Sequence, residues 1–279
     1  MVLMPKSRVL SKDTRLCISL AARPSNIGTR FHNYLYEVLG LDYVYKAFTT
    51  TDIAAAIGGV RALGIRGCSI SMPFKREVLA LVDHVEPSAA AIAAVNTIVN
   101  DDGVLTAANT DYTAVRRLVA EHRLDPNAAV LIRGSGGMAS AVATALRDSG
   151  FRRGTVVARN AATGAELADR LGYRWQPDAA GLRAPIILNV TPIGMAGAAE
   201  ADDLAFSPDT IAAADVVIDA VAVPAETPLI RAARAAGKPV ISGAEIIAAQ
   251  AAEQFERYTG VRPTPEQVAA ASAFSRRQP

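Results

Sequence analysis

Little in this sequence is built for metals, membranes or oxidised thiols. Its 279 residues include two cysteines, Cys17 and Cys68, and three histidines, His32, His84 and His122. The cysteines sit in apolar runs and read as reduced core residues, from which a cytoplasmic address is expected. The histidines lie far apart, without metal-ligand spacing, and read as surface or capping side chains. No cysteine or histidine cluster points to zinc, so no metal is expected. No Ser-His-Asp set has supporting spacing either. No apolar run approaches the length of about 18 residues that a membrane span requires. The opening MVLMPKSRVLSKDTRL lacks the apolar core of a signal peptide and reads as a short lead-in. A net charge of +2 is too small to suggest a nucleic-acid partner.

What is present is apolar and regularly patterned. Hydrophobic residues make up 51% of the chain and charged residues 20%, which suits a well-packed α/β protein long enough for two domains. RLCISL, DYVYKAF and GCSIS read as strands. Between them, FHNYLYEVLG reads as a helix closed by Gly40, and TTDIAAAIGGVRALG as one capped by a Thr or by Asp52. This β-α-β-α-β alternation implies a largely parallel sheet with right-handed crossovers. NTIVNDDGVLTAANTD reads as a hairpin about Asp101-Asp102-Gly103. After Asp111 a second β-α-β series begins, with a strand at 128–133, a helix at 139–148 and strands TVVAR, PIILNV, DVVIDA and PVIS. A long helix over 243–260 closes it.

The loop between the 128–133 strand and its helix carries the chemistry. IRGSGGMASA places Gly134, Gly136 and Gly137 directly after a strand and before a helix, with Ala139 in the last position of the fingerprint. A dinucleotide asks for a tight turn, close backbone approach to its pyrophosphate and close helix–strand packing, and small residues serve all three. The N-terminus of the following helix stabilises the phosphate charge. At the end of the next strand, where an NAD enzyme places Asp or Glu, this chain has Arg159. A guanidinium matches a 2′-phosphate, so NADP is the expected cofactor.

Further segments carry a family resemblance. SISMPFKREV (Ser69 to Val78), AVNTIV (Ala94 to Val99), NTD (Asn109 to Asp111), NVTPIGM (Asn189 to Met195) and GAEIIAAQAAEQF (Gly243 to Phe255) join the glycine loop. In this order, over nearly the whole chain, they resemble the shikimate dehydrogenase family. The resemblance implies an α/β substrate domain over 1–112 and a Rossmann-type NADP-binding domain over 113–239. C-terminal helices over 240–279 return to the first domain. It implies Lys75 and Asp111 as the catalytic pair and Ser71, Asn96 and Gln250 as ligands of ring hydroxyls. Gly134, Ser135, Gly136, Gly137, Met138 and Ala139 form the phosphate loop, and Arg159, Asn160 and Gly243 are further cofactor residues. The expected partner is a small molecule, a cyclic polyol acid or its ketone.

The chain departs from the family where the substrate carboxylate binds. The family's His-Ser-x-Ser-Pro run is RPSNIGTRFHN here, with Ser25, Asn26 and Thr29 as the nearest donors, and Ala222 stands where the family has a tyrosine. In the cofactor clamp, Thr163 replaces the family's second arginine. The expected reaction is shikimate and NADP⁺ to 3-dehydroshikimate and NADPH, with shikimate handled weakly. A quinate or other cyclitol dehydrogenase is the alternative enzyme reading, and a non-catalytic nucleotide- and metabolite-binding sensor the alternative of another class. Oxidising a secondary alcohol needs a base for the hydroxyl proton, and the reverse reaction needs an acid. Lys75 is expected in the first turn of a helix, where the macrodipole disfavours an ammonium. Read without the resemblance, Asp111 is an N-cap of the helix that follows it, and it can serve both roles.

Overall fold

The computed structural model describes residues 10–277; most of the lead-in lies outside the described residues. The chain opens with β1 (Arg15–Ala21), α1 (Asn26–Val38), β2 (Tyr43–Thr49), α2 (Ile53–Ala62) and β3 (Gly67–Ile70). A 3-10 turn at Glu77–Leu81 leads to β4 (His84–Val85), α3 (Pro87–Ala90), β5 (Thr97–Asp101) and β6 (Val104–Ala108). There follow α4 (Thr110–Glu121), β7 (Val130–Arg133), α5 (Gly137–Asp148), β8 (Gly154–Val157), α6 (Ala161–Leu171) and β9 (Arg174–Gln176). The last part comprises β10 (Ile186–Asn189), α7 (Pro208–Ala213), β11 (Val216–Asp219), α8 (Pro228–Ala235), β12 (Val240–Ile241), α9 (Gly243–Thr259) and α10 (Pro265–Ser275).

Two compact units result. One holds the chain up to Glu86, Val95–Ala108 and the chain from Ala251 onwards; the other holds Pro87–Ala94 and Asn109–Gln250. The boundaries drawn from sequence at 112 and 239 fall elsewhere, because the 87–94 segment and the first half of α9 go with the second unit.

In the first unit the sheet order is β2-β1-β3-β5-β6-β4. β1 is parallel to β2 and β3, as the β-α-β-α-β pattern requires, and β5 runs antiparallel to both β3 and β6. The expected hairpin joins β5 to β6. Its two turn residues, Asp102 and Gly103, both have left-handed φ (51° and 93°), the signature of a type I′ turn that matches strand twist. Asp52 caps α2 by accepting from Ala55 N at 2.9 Å. Helix α1 starts five residues before the apolar pattern at Phe31 indicates, while Gly40 closes it as expected, at φ 64°. In the second unit every strand pair is parallel, in the order β12-β11-β10-β7-β8-β9. The chain leaves β7 for β8 on one side and returns to β10 on the other. That reversal is the doubly wound dinucleotide-binding topology.

Cys17 and Cys68 are fully buried free thiols, and burial pushes the Cys17 thiol up to about 12. His32 corrects a sequence expectation. It is not on the surface but 0% exposed, stacked at 4.5 Å on the Tyr45 ring within a core of Phe31, Tyr36, Phe255 and Tyr258. Its helix turns an apolar stripe inward and His32 falls on that stripe. By contrast, His122 ends α4 and meets Glu245 at 2.6 Å, and His84 is exposed.

Burial pushes the His32 imidazole down from 6.5 to about 3, opposed in part by the Gln254 carboxamide. Between these values the unfolded chain holds a proton that the folded chain excludes. The stabilising effect of neutral His32 is therefore complete above its unfolded value and is lost as pH falls towards the folded one. The loss is about 1.4 kcal/mol per pH unit. Urea denaturation at pH 7 and pH 5 should show about 2 kcal/mol of lost stability from this group. In His32→Phe that part of the pH slope should vanish; an unchanged slope would assign it to other groups.

Candidate active site

In the first unit, backbone hydrogen bonds gather the expected substrate residues at the C-terminal edge of the sheet. Ser71 N donates to Leu20 O at the end of β1 (2.9 Å), and Ile70 N to Asn96 O (2.8 Å). Val95 N donates to Lys75 O (2.7 Å), and Asn96 N to Ala108 O (3.1 Å). Ser71, Lys75 and Asn96 are thus brought together by their main chains. Lys75 is half-buried and lies in the turn after β3, ahead of the short 3-10 segment. It does not sit in the first turn of an α-helix, so the macrodipole argument does not apply to it. Pro73 and the Phe74 N to Ser71 O bond (3.1 Å) tighten this stretch into a turn before any helix can begin.

The same edge carries the start of α1. Ser25 occupies the N-cap position, but its side chain makes no capping bond. Asn26 is the first helical residue, and Thr29 Oγ1 is buried with no hydrogen-bond partner. The first-turn N–H groups that a cap side chain ordinarily satisfies are therefore left for another acceptor.

Asp111 is 7% exposed and is the second residue of α4, not its cap. Asn109 is the cap, accepting from Tyr112 N at 3.1 Å. Asp111 instead lies in the first turn, where the helix dipole favours a carboxylate. Gln250 is half-buried on α9.

In the second unit the glycine loop follows β7 at the point where strand order reverses. Gly134 has φ 128°, and a Cβ there would stand 2.9 Å from Val190 Cγ2 and 3.0 Å from Val190 O, so only glycine fits. Gly136 is the N-cap of α5 and offers no side-chain bond, and a Cβ at Gly136 or Gly137 would meet nothing within 4 Å. The first N–H groups of α5 are therefore open to an acceptor approaching the loop. This donor set, with room for close backbone approach, fits a pyrophosphate. Ser135 Oγ meets Thr163 Oγ1 at 2.7 Å, tying the loop to the start of α6. Met138 packs against the core, and Ala139 is buried, so each can offer a phosphate only its main chain.

Arg159 follows β8 on a 78%-exposed side chain and forms a two-point pair with Glu200, at 3.3 and 3.4 Å. Asn160 caps α6 by accepting from Thr163 N at 3.2 Å. Gly243 has a packing role: a Cβ there would lie 2.2 Å from Val221 O. Sequence reading missed a buried network beneath these loops. Asn189 Nδ2 donates to Asp219 Oδ1 (3.0 Å) and to Ile193 O (3.1 Å), while Asp219 Oδ2 accepts from Thr227 Oγ1 (2.6 Å). Burial raises the Asp219 carboxyl, and these donors pull it back. The signal was a polar residue ending each of two apolar strands, PIILN and DVVID. Among the described residues, no group of His, Cys, Asp and Glu is arranged to hold a metal ion. Among them, too, no helix is long and apolar enough to cross a membrane.

Comparison with known proteins decides the family. Residues 26–98 match the shikimate dehydrogenase substrate binding domain. A shikimate dehydrogenase-like protein of Haemophilus influenzae is 54% identical over 268 residues, covering 96% of this chain and 99% of its own. The chain belongs to the shikimate dehydrogenase family. The solved structure of a shikimate 5-dehydrogenase-like protein superposes with a TM-score of 0.95, at 54% identity over 96% of this chain and all of the other. Shikimate 5-dehydrogenase of Thermus thermophilus, solved with NADP(H) and shikimate, is 27% identical with a TM-score of 0.83, covering 94% and 99% of the two chains. The family accounts for the α/β substrate domain and the Rossmann fold seen here. The opening of the 26–98 match at Asn26 also coincides with the start of α1.

Proposed function

We propose that this chain is an NADP-dependent oxidoreductase that interconverts a shikimate-type cyclic polyol acid and its ketone. The glycine loop carries the reading: an uncapped, glycine-walled helix start at the switch point of a parallel sheet is a dinucleotide phosphate site. Family membership and the main-chain gathering of Ser71, Lys75 and Asn96 supply the substrate side. Gly134, Ser135, Gly136, Gly137, Met138 and Ala139 hold the pyrophosphate, Arg159 and Asn160 the adenosine 2′-phosphate, and Gly243 lets α9 start close to β11.

When bound, NADP⁺ takes up the hydride. Lys75 Nζ accepts the hydroxyl proton in oxidation and returns it in reduction. Ser71, Asn96, Asp111 and Gln250 hold ring hydroxyls, and fix which carbon is presented. Ser25, Asn26 and Thr29, with the uncapped start of α1, form the substitute carboxylate site. A site with fewer hydroxyl donors than the family's returns less for desolvating a carboxylate. Shikimate is therefore turned over with weak apparent affinity.

A panel of shikimate, quinate and an uncharged cyclitol, each with NADP⁺ and NAD⁺, tests this. Replacing Ser25 and Asn26 by Ala and Thr29 by Val together should raise KM for shikimate about tenfold or more, the worth of one or two hydrogen bonds to a charged group. KM for the uncharged cyclitol should stay level. An equal rise for both would place these residues away from the carboxylate. Turnover of the uncharged cyclitol alone would remove the acid from the substrate class.

A further inference from the structure

A buried hydrogen-bond relay ends on Asn96 and begins on Gln254, a residue inside the GAEIIAAQAAEQF segment to which the resemblance assigns no role. Helix α9 lies close over β3, with Tyr258 packed on Gly67. One turn before Tyr258, Gln254 is 3% exposed, among Ala251, Phe255 and other apolar neighbours on its own helix. A buried carboxamide is costly unless its polar atoms are bonded, and a methionine would fill similar volume without that cost. Gln254 is bonded. Its Nε2 donates to Thr97 Oγ1 at 2.9 Å, to Asn96 O at 3.2 Å and to Ser69 Oγ at 3.3 Å.

Thr97, fully buried, passes the contact on: its Oγ1 donates to Asn96 Oδ1 at 2.8 Å. A hydroxyl has a single hydrogen. Because Gln254 supplies the N–H that Thr97 accepts, the Thr97 hydrogen is directed to the Asn96 oxygen. Asn96 itself is 1% exposed, and its main chain is held on both sides, by Ile70 N and by Ala108 O. With Oδ1 engaged by Thr97, the plane of the Asn96 carboxamide is set and its Nδ2 end is turned the other way.

We propose that Gln254 is a positioning residue which, acting through the Thr97 hydroxyl, orients the Asn96 carboxamide as a donor to a ring hydroxyl of the substrate. The inference rests on the reading of Asn96 as a hydroxyl ligand given above. Gln254 itself touches no substrate. It sets which end of Asn96 is offered, and so contributes to affinity and to hydroxyl stereochemistry rather than to the hydride or proton step.

The test uses the full-length protein with shikimate and NADP⁺, reading kcat, KM for each, and the shikimate dissociation constant by calorimetry. Asn96→Ala should raise KM for shikimate about tenfold. Gln254→Met and Thr97→Val should each raise it about 3- to 10-fold, the factor one neutral hydrogen bond is worth. Both should leave kcat and KM for NADP⁺ within about twofold. Thr97→Ser, which keeps the hydroxyl, should behave as the unsubstituted protein. Gln254→Met should add nothing in an Asn96→Ala background, since the relay then has no end. Thr97→Val keeps the test alive if Gln254→Met fails to fold. An unchanged KM in Gln254→Met, or the same rise with and without Asn96, would overturn the inference. An unchanged KM in Asn96→Ala would overturn the reading of Asn96 and this inference with it. Shikimate that neither binds nor reacts would overturn the proposed substrate class itself.

Discussion

Replacing Lys75 by Ala should lower kcat about 10²- to 10⁴-fold, the usual range for losing a general acid–base group. KM for shikimate should change by only a few-fold, because the proton transfer proposed for Lys75 belongs to the transition state. Its main chain is fixed by Val95 N, and the adjacent Phe74 is buried, so the turn should survive loss of the side chain. The melting temperature of Lys75→Ala should therefore stay within a few degrees of the parent. That separates a chemical loss from a folding one. Retained turnover would remove Lys75 from the mechanism and leave proton transfer to Asp111 or to solvent. A fall in kcat that external amines partly restore would tie the loss to the missing amine itself.

The structural placement of Lys75 shows where sequence reading reaches its limit. FKREVLALV has helical spacing, and a lysine near its start looks like a first-turn residue. Pro73 and the Ser71 carbonyl close a turn first, and the helical segment that follows is only a 3-10 stretch. At α4, Asn109 and Asp111 are both good caps two residues apart. Asn109 is the cap, its side chain accepting from Tyr112 N, and the letters alone do not distinguish the two. The order of strands and helices was legible, because apolar runs of period two alternate with helical ones and Gly40, Asp52 and the Asp102-Gly103 turn punctuate them. The glycine loop was legible too, since its geometry is local.

What stayed hidden depends on distant partners. β9 is a short edge strand, Arg-Trp-Gln, with two of its three residues exposed, and carries no apolar period. His32 reads as polar until α1 is packed against α9. Gln254 looks like an ordinary helix residue until Ser69, Asn96 and Thr97 are folded beneath it, more than 150 positions away.

If Arg159 holds the 2′-phosphate as proposed, its replacement by Ala should weaken NADP binding about 10- to 150-fold. That corresponds to the roughly 1.5–3 kcal/mol of a charge-assisted contact to phosphate. NAD affinity should change by about twofold or less, since a neutral ribose offers the guanidinium little. In the structure the guanidinium fork faces the two oxygens of Glu200. At this exposure an ion pair contributes about 1 kcal/mol at most, so a phosphate dianion, with more charge and three acceptor oxygens, should displace the carboxylate. The displaced carboxylate would still lie near the phosphate and repel it. Glu200→Gln should accordingly tighten NADP a few-fold and leave NAD level, whereas Arg159→Ala should erase that gain. Calorimetric titration of both cofactors into the parent, the two single variants and the double variant measures each step. Equal losses for NADP and NAD in Arg159→Ala would make the arginine a structural partner of Glu200. A Glu200→Gln variant that weakens NAD would instead make Glu200 an acceptor for ribose hydroxyls, and the pair a site that serves both cofactors.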